Sequence, residues 1–256
     1  MHARTPGAGP GPPPSPGSGR PQAGLEQAGA RPGTTPPVPG RWSVHGLFPA
    51  IALGVLLVVL TVQAALGAGP MVALDESVRD GLAAFSGASG PDRLDGVMHV
   101  LADLGGPLPG GIALTAAYVF AALRSPGRRA RVGLAVTAVV SVAVVSLAVV
   151  AGKILIARPG PDGGTIASGE WGFFPSGHTA TSAVCYGGAA LLVGAVSSVR
   201  TRRRVYAGAG VLCALVGFAL LWCGYHWLGD VLAGWALCAL VLRAAARHVP
   251  RPGPPR

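Results

Sequence analysis

Two histidines, an aspartate, a lysine and an arginine in the C-terminal half of the chain are the residue types needed to move a phosphoryl group. His226 and Asp230 stand four residues apart in GYHWLGDVLAGW, the spacing that puts two side chains on one face if that segment is helical. A carboxylate so placed holds the imidazole N–H, fixes its tautomer and stabilises the cation the ring becomes after nucleophilic attack. Asp230 is the sole acidic residue after Glu170 and begins an otherwise apolar span, a setting in which an ionisable side chain points to function. His178 follows Pro175, Ser176 and Gly177 where a Gly-rich loop meets an apolar run. The first peptide N–H groups of a helix starting there have no intrahelical partner and attract an anion. The same tetrapeptide also reads as an ordinary serine cap followed by a flexible residue.

Lys153 and Arg158 stand at the end of another apolar run, where a long cationic side chain reaches the interface without leaving its charge in lipid. Snorkelling alone accounts for many such residues. Lys153, however, is the only lysine in a chain that otherwise writes positive charge as arginine. An ammonium and a guanidinium together form a clamp for phosphate oxygens. The set thus contains a nucleophile and its orienter (His226, Asp230), a second histidine for proton transfer (His178), and phosphate ligands (Lys153, Arg158, Ser176, Gly177). Phosphoryl transfer depends chiefly on positioning and charge stabilisation, so this set suffices without a cofactor. No carboxylate cluster marks a magnesium site, and no metal ligands are assigned.

These residues must be positioned by membrane-spanning helices. Of 256 residues half are hydrophobic and only 12% are charged, a composition that fits a polytopic membrane protein better than a soluble domain. The formal charge of +10 clusters between apolar runs without interleaved aromatics, so it reads as a topology signal and not as a nucleic-acid surface. Cys185, Cys213, Cys223 and Cys238 lie within or at the ends of apolar runs and form no CxxC pair, which indicates neither a disulfide framework nor a zinc site.

Residues 1–40, rich in Pro and Gly, read as a disordered cytoplasmic tail; residues 41–248 as one six-helix domain; and residues 249–256 as a short cytoplasmic tail. The fold class is all-α, a polytopic bundle with runs near 47–66, 105–123, 132–152, 178–199, 205–223 and 228–246. Arg20, Arg31 and Arg41 precede the first run, and RSPGRRAR, RTRRR and RAAARHVPR fall after the second, fourth and sixth. The excess of arginine there places both termini in the cytoplasm. The acidic segment 67–104 then lies outside, part of it a short interfacial helix with Val72, Leu74, Val78, Leu82 and Phe85 as its apolar positions. All the chemistry-bearing segments fall on that outer face.

At this level the sequence resembles the type 2 phosphatidic acid phosphatase (PAP2) family of membrane phosphatases, from about residue 70 to 245. The resemblance rests on the intact Pro175-Ser176-Gly177-His178 motif, on His226 and Asp230 in their context, and on Lys153 as the lysine of the first motif. It implies attack on phosphorus by His226 through a phosphohistidine intermediate, with His178 protonating the leaving group. Two positions depart from the pattern. Counted from Lys153, the usual Arg-Pro pair falls on Gly160 and Pro161, while Arg158-Pro159 comes two residues early. Arg158 therefore either represents an upstream arginine or replaces the usual ligand. The Ser-Arg that normally opens the third motif is Ala219 and Leu220.

The reading is a metal-independent lipid phosphatase of a bacterial cytoplasmic membrane. It cleaves a phosphate monoester or pyrophosphate at the extracytoplasmic face, with undecaprenyl pyrophosphate the leading substrate. The alternatives are a lipid phosphotransferase and a catalytically silent PAP2-like protein that binds a lipid headgroup. The partner expected is the lipid phosphate itself; nucleic acid is not expected, and oligomeric state is left open.

Overall fold

The computed structural model describes residues 44–88, 92–163 and 171–249, together with Gly11. Residues 1–40, read above as a tail, lie outside the described residues apart from Gly11, as do 250–256 of the C-terminal segment. Among the described residues there are eight helices and no strand: α1 Val44–Leu66, α2 Pro70–Ala88, α3 Asp92–Asp103, α4 Pro107–Arg124, α5 Gly127–Ile156, α6 Gly177–Ala195, α7 Val199–Trp222 and α8 Leu228–Ala245. Six of them, α1 and α4 to α8, occupy the six apolar runs. The protein is an all-helical, multi-pass membrane bundle.

The helix ends follow local chemistry. Gly106 precedes Pro107, whose fixed φ and missing N–H suit the first helical position of α4. Ser176 and Ser198 cap α6 and α7, accepting from the N–H of Thr179 and Thr201. Helix α5 runs beyond the expected 132–152 at both ends. It takes in the arginine-rich turn at its start, where side chains can extend into water, and stops where Ala157 adopts left-handed φ 47°, ψ 42°. The segment 67–104 holds two helices, α2 and α3, where one short helix was expected. Helix α3 meets α4 at a bend of 57°, forced where Gly105 and Gly106 precede Pro107.

By length and composition α1, α5, α7 and α8 each suffice to cross a bilayer, and the bent pair α3–α4 makes a fifth candidate as one broken span. Helix α6 owes its lower hydropathy to its place. It touches α4, α5, α7 and α8, and its Gly, Ala, Ser and Thr residues are buried against them, as small residues permit close helix approach in membranes. Helices α1 and α5 instead turn Phe48, Val55, Val58, Val139, Val144 and Leu147 outward, an apolar surface suited to lipid and costly in water. Packing inside is continuous. Val145, Val149, Ala180, Val184 and Cys238 join α5, α6 and α8, while Ala102, Val216, Ala219 and Leu220 join α3 to α7.

Because successive helices reverse direction, Lys153, Gly177 and Asp230 lie at one end of α5, α6 and α8. The arginines at 128, 129 and 131, at 200 and 202–204, and at 243 and 247 lie at or near the opposite ends of α5, α7 and α8.

Candidate active site

The end of the bundle that holds Lys153 is closed by a strap, residues 171–176, laid back over the exit from α5. The N–H of Gly172 donates to the carbonyl of Lys153 at 3.1 Å and that of Phe173 to the carbonyl of Arg158 at 2.9 Å. Gly172 is required for this approach, since a Cβ there would stand 2.7 Å from the Cα of Ala157. The strap ends at Ser176, whose N–H donates to the carbonyl of Asp230 at 3.1 Å. One hydrogen bond therefore joins the start of α6 to the start of α8.

His226 is not on a helix. It lies in the turn between α7 and α8, just before the cap residue Trp227, so the shared helix face expected for His226 and Asp230 is not how they meet. Asp230 is the third residue of α8, and its carboxylate turns back. Oδ2 accepts from the Trp227 N–H at 3.2 Å and lies 3.3 Å from His226 Nδ1. A carboxylate only accepts, so Nδ1 of His226 donates and Nε2 keeps the lone pair. His226 is buried, and the Phe173 ring packs against it edge-on, with centroids 5.7 Å apart.

The other oxygen of Asp230, Oδ1, accepts from Arg158 Nη1 at 2.7 Å. Arg158 Nη2 donates to Oδ2 of Asp75 at 2.6 Å, and Asp75 Oδ1 accepts the Gly229 N–H at 2.7 Å. All three charged residues are buried, Asp230 and Asp75 almost completely. Burial pushes the Asp75 carboxyl upward, and the hydrogen bonds from Arg158 and Gly229 pull it back. Arg158 thus stands inside the cluster, with both terminal nitrogens on carboxylates. Its guanidinium carbon also lies 5.3 Å from the centre of the Trp227 ring, with that of Arg79 at 5.2 Å. Trp227 itself is anchored by its indole N–H on the Pro159 carbonyl at 2.8 Å.

Lys153 is half-buried. Its Nζ donates to the Gly172 carbonyl at 2.8 Å and lies 5.9 Å from the centre of the Phe173 ring, on the ring that also meets His226. A Cβ on Gly177 would touch Lys153 Cε at 3.7 Å, so the ammonium stem lies beside the first turn of α6. Ser176 is buried there as the cap, its Oγ accepting the Thr179 N–H at 3.2 Å. Gly177 is partly open and His178 is exposed. His178 lies within electrostatic reach of His226, Asp103 and Lys153. All seven residues singled out from the sequence come together at one end of the bundle: Lys153, Ser176, Gly177 and His178 around the first turn of α6, with His226 beside them and Arg158 and Asp230 beneath. Among the described residues no three His, Cys, Asp or Glu side chains are grouped as a metal site requires.

The two positions without arginine are filled by packing. A Cβ on Gly160 would meet the Phe173 ring at 2.7 Å. Leu220 is completely buried against Ala102 and Val216 and faces α3. Asp75 was missed in the sequence, where it counted only as one of the acidic residues of the outer segment. Its signal was there: Met71, Val72, Val78, Arg79 and Leu82 form the inward stripe of α2, and Asp75 occupies its centre. Of the two further residues expected on that stripe, Leu74 is exposed, and Phe85, though largely exposed, meets the Trp222 ring of α7 edge-on with centroids 5.8 Å apart.

Residues 132–253, just under half of the chain, match the PAP2 superfamily. The fold is similar to that of a transmembrane PAP2 type phosphatidylglycerolphosphate phosphatase from Bacillus subtilis, at 20% identity and a TM-score of 0.63, over 77% of this chain and 94% of that one. No curated protein matches the sequence.

Proposed function

We propose that the protein is a lipid phosphatase that works through a phosphohistidine. The observation that carries this reading is the hydrogen-bonded pair His226–Asp230, 3.3 Å apart, set beside the Lys153 ammonium and the N-terminus of α6. Nε2 of His226 attacks the terminal phosphorus, the bond from that phosphorus to the leaving oxygen breaks (the lipid oxygen of a monoester, the bridging oxygen of a pyrophosphate), and His178 gives that oxygen a proton. Water then attacks the phosphohistidine with His178 as base, the P–N bond breaks, and inorganic phosphate leaves. Lys153 and the N–H groups at Gly177 and His178 face the phosphoryl oxygens as charge builds on them.

A lipid substrate is supported by an apolar cavity of about 710 Å³ between α4, α5 and α6. Leu114, Tyr118, Val142 and Val149 line it, and it reaches Gly177. A hydrocarbon chain lying there has its head at the anion-facing turn. Undecaprenyl pyrophosphate is the leading substrate, with phosphatidic acid and phosphatidylglycerol phosphate fitting the same groups. Arginine-rich helix ends on the opposite side support a site on the extracytoplasmic face of a bacterial cytoplasmic membrane.

The test is phosphate release from these three lipids by the purified protein and by His226→Ala and His178→Ala. Release by the wild type and loss in both variants supports the reading. Equal release by all three proteins removes it. Release that appears only as transfer to an added alcohol identifies a phosphotransferase. Binding without release identifies a silent headgroup binder, the outcome favoured by Gly160 and Leu220 standing where arginines are usual.

A further inference from the structure

Asp75 belongs to α2, outside the stretch that matches the PAP2 superfamily, yet it closes a ring of contacts around the orienting carboxylate. From Asp75 Oδ2 the ring passes through both terminal nitrogens of Arg158 to Asp230 Oδ1. It returns along one residue of α8 backbone from Asp230 to Gly229, whose N–H donates to Asp75 Oδ1. A guanidinium is a planar fork with fixed donor directions. With one prong on Asp75, the other can meet Asp230 in one orientation only, and that leaves Oδ2 turned to His226. Two buried carboxyl groups share one guanidinium, so each fixes where the other can lie.

We infer that Asp75 is a positioning residue of the reaction: through Arg158 and the Gly229 N–H it fixes the Asp230 carboxylate, and through that carboxylate the attacking tautomer of His226. The inference rests on the phosphohistidine reading for its kinetics but not for its geometry. Replacing Asp75 by Asn removes the acceptor charge and draws the whole guanidinium charge onto Asp230. Arg158 is then free to re-aim, and Asp230 Oδ2 is no longer held toward His226 Nδ1. The charged groups facing this cluster are Arg158 from the turn after α5, Asp230 and His226 at the start of α8, Arg79 on α2, Lys153 on α5 and His178 on α6. Of these, Arg158 is the one that forms an ion pair with Asp75.

The experiment compares the full chain with D75N, D230N, the double variant D75N/D230N and G229A. It uses kinetics on a lipid phosphate, together with histidine ¹⁵N NMR in which the His226 signal is assigned by its loss in His226→Asn. For D75N, kcat is expected to fall by about tenfold or more with KM nearly unchanged, because orientation of the nucleophile and not lipid binding is lost. The double variant is expected to be no slower than D230N, since both act through one carboxylate. In the NMR spectra of D75N the Nδ1–H tautomer of His226 loses population. G229A keeps every charge but places a methyl 3.2 Å from Asp75 Oδ2 and 3.4 Å from Arg158 Nη1; it lowers kcat and the tautomer population in smaller measure, and carries the test if D75N does not fold. Unchanged rate and tautomer population in D75N overturn the inference, as do losses that multiply in the double variant, or an unchanged rate and tautomer population in G229A where that variant carries the test. If the wild type releases no phosphate, the phosphatase reading fails while the NMR arm still decides the role of Asp75.

Discussion

The backbone N–H of Ser176 donates to the backbone carbonyl of Asp230 at 3.1 Å. The residue that caps the anion-facing turn of α6 therefore hangs from the residue that holds His226. Neither can shift without the other, so the first turn of α6 and His226, the phosphate site and nucleophile of the proposed reaction, keep their separation.

Ser176→Ala tests this link from the α6 side. The variant keeps the backbone bond but loses the side-chain cap on Thr179, which costs about 1 kcal/mol of stability. A lower melting temperature and a lower kcat are expected together, measured by thermal unfolding in detergent and by phosphate release. A variant with normal kcat would show that the cap serves stability alone.

Lys153, beside the first turn of α6, donates its hydrogen bond to the Gly172 carbonyl and not to a carboxylate. Lys153→Met is expected to lower kcat/KM by about ten- to a hundredfold, the cost of one charge-assisted contact of about 1.5 to 3 kcal/mol. Lys153→Arg should not restore it, because a planar fork cannot keep the single bond to Gly172 and reach the same point. A wild-type rate in either variant would remove Lys153 from phosphate binding.

His178→Gln separates proton donation from attack. Turnover of a lipid phosphate, whose alkoxide leaving group needs a proton, is expected to fall by about a hundredfold or more. Turnover of an aryl phosphate with an acidic phenol should fall far less. Equal losses on both substrates would mean that His178 does not protonate the leaving group.

Leu220→Arg would put an unpaired charge into the apolar contact between α3 and α7. Destabilisation of about 3 kcal/mol or more is expected, seen as poor folding yield or a much lower melting temperature. A folded, faster variant would show instead that an arginine from this position can reach the phosphate.

The bundle was legible because membrane helices write themselves as apolar runs, and the arginine clusters mark the ends that reverse direction. The histidines, Lys153 and Asp230 stood out for a related reason: polar groups are rare in such runs. What could not be read were the features set by tertiary geometry. The His226 contact depends on a carboxylate reaching back from the third position of α8, not on a shared helix face, although four-residue spacing serves both. Arg158 reads as a phosphate ligand until the fold brings Asp75 to its far side across 83 positions of sequence. Gly160 and Leu220 look like losses in the sequence, whereas in the fold Phe173 and α3 occupy the space.

The most direct measurement is chemical trapping of the intermediate. Wild-type protein is mixed with a lipid substrate labelled in its phosphoryl group, quenched in alkali and mapped by peptide. The account predicts an acid-labile, alkali-stable phosphate on His226, absent from His226→Asn. Phosphate release that persists undiminished in His226→Asn, or label carried by any other residue, would contradict it.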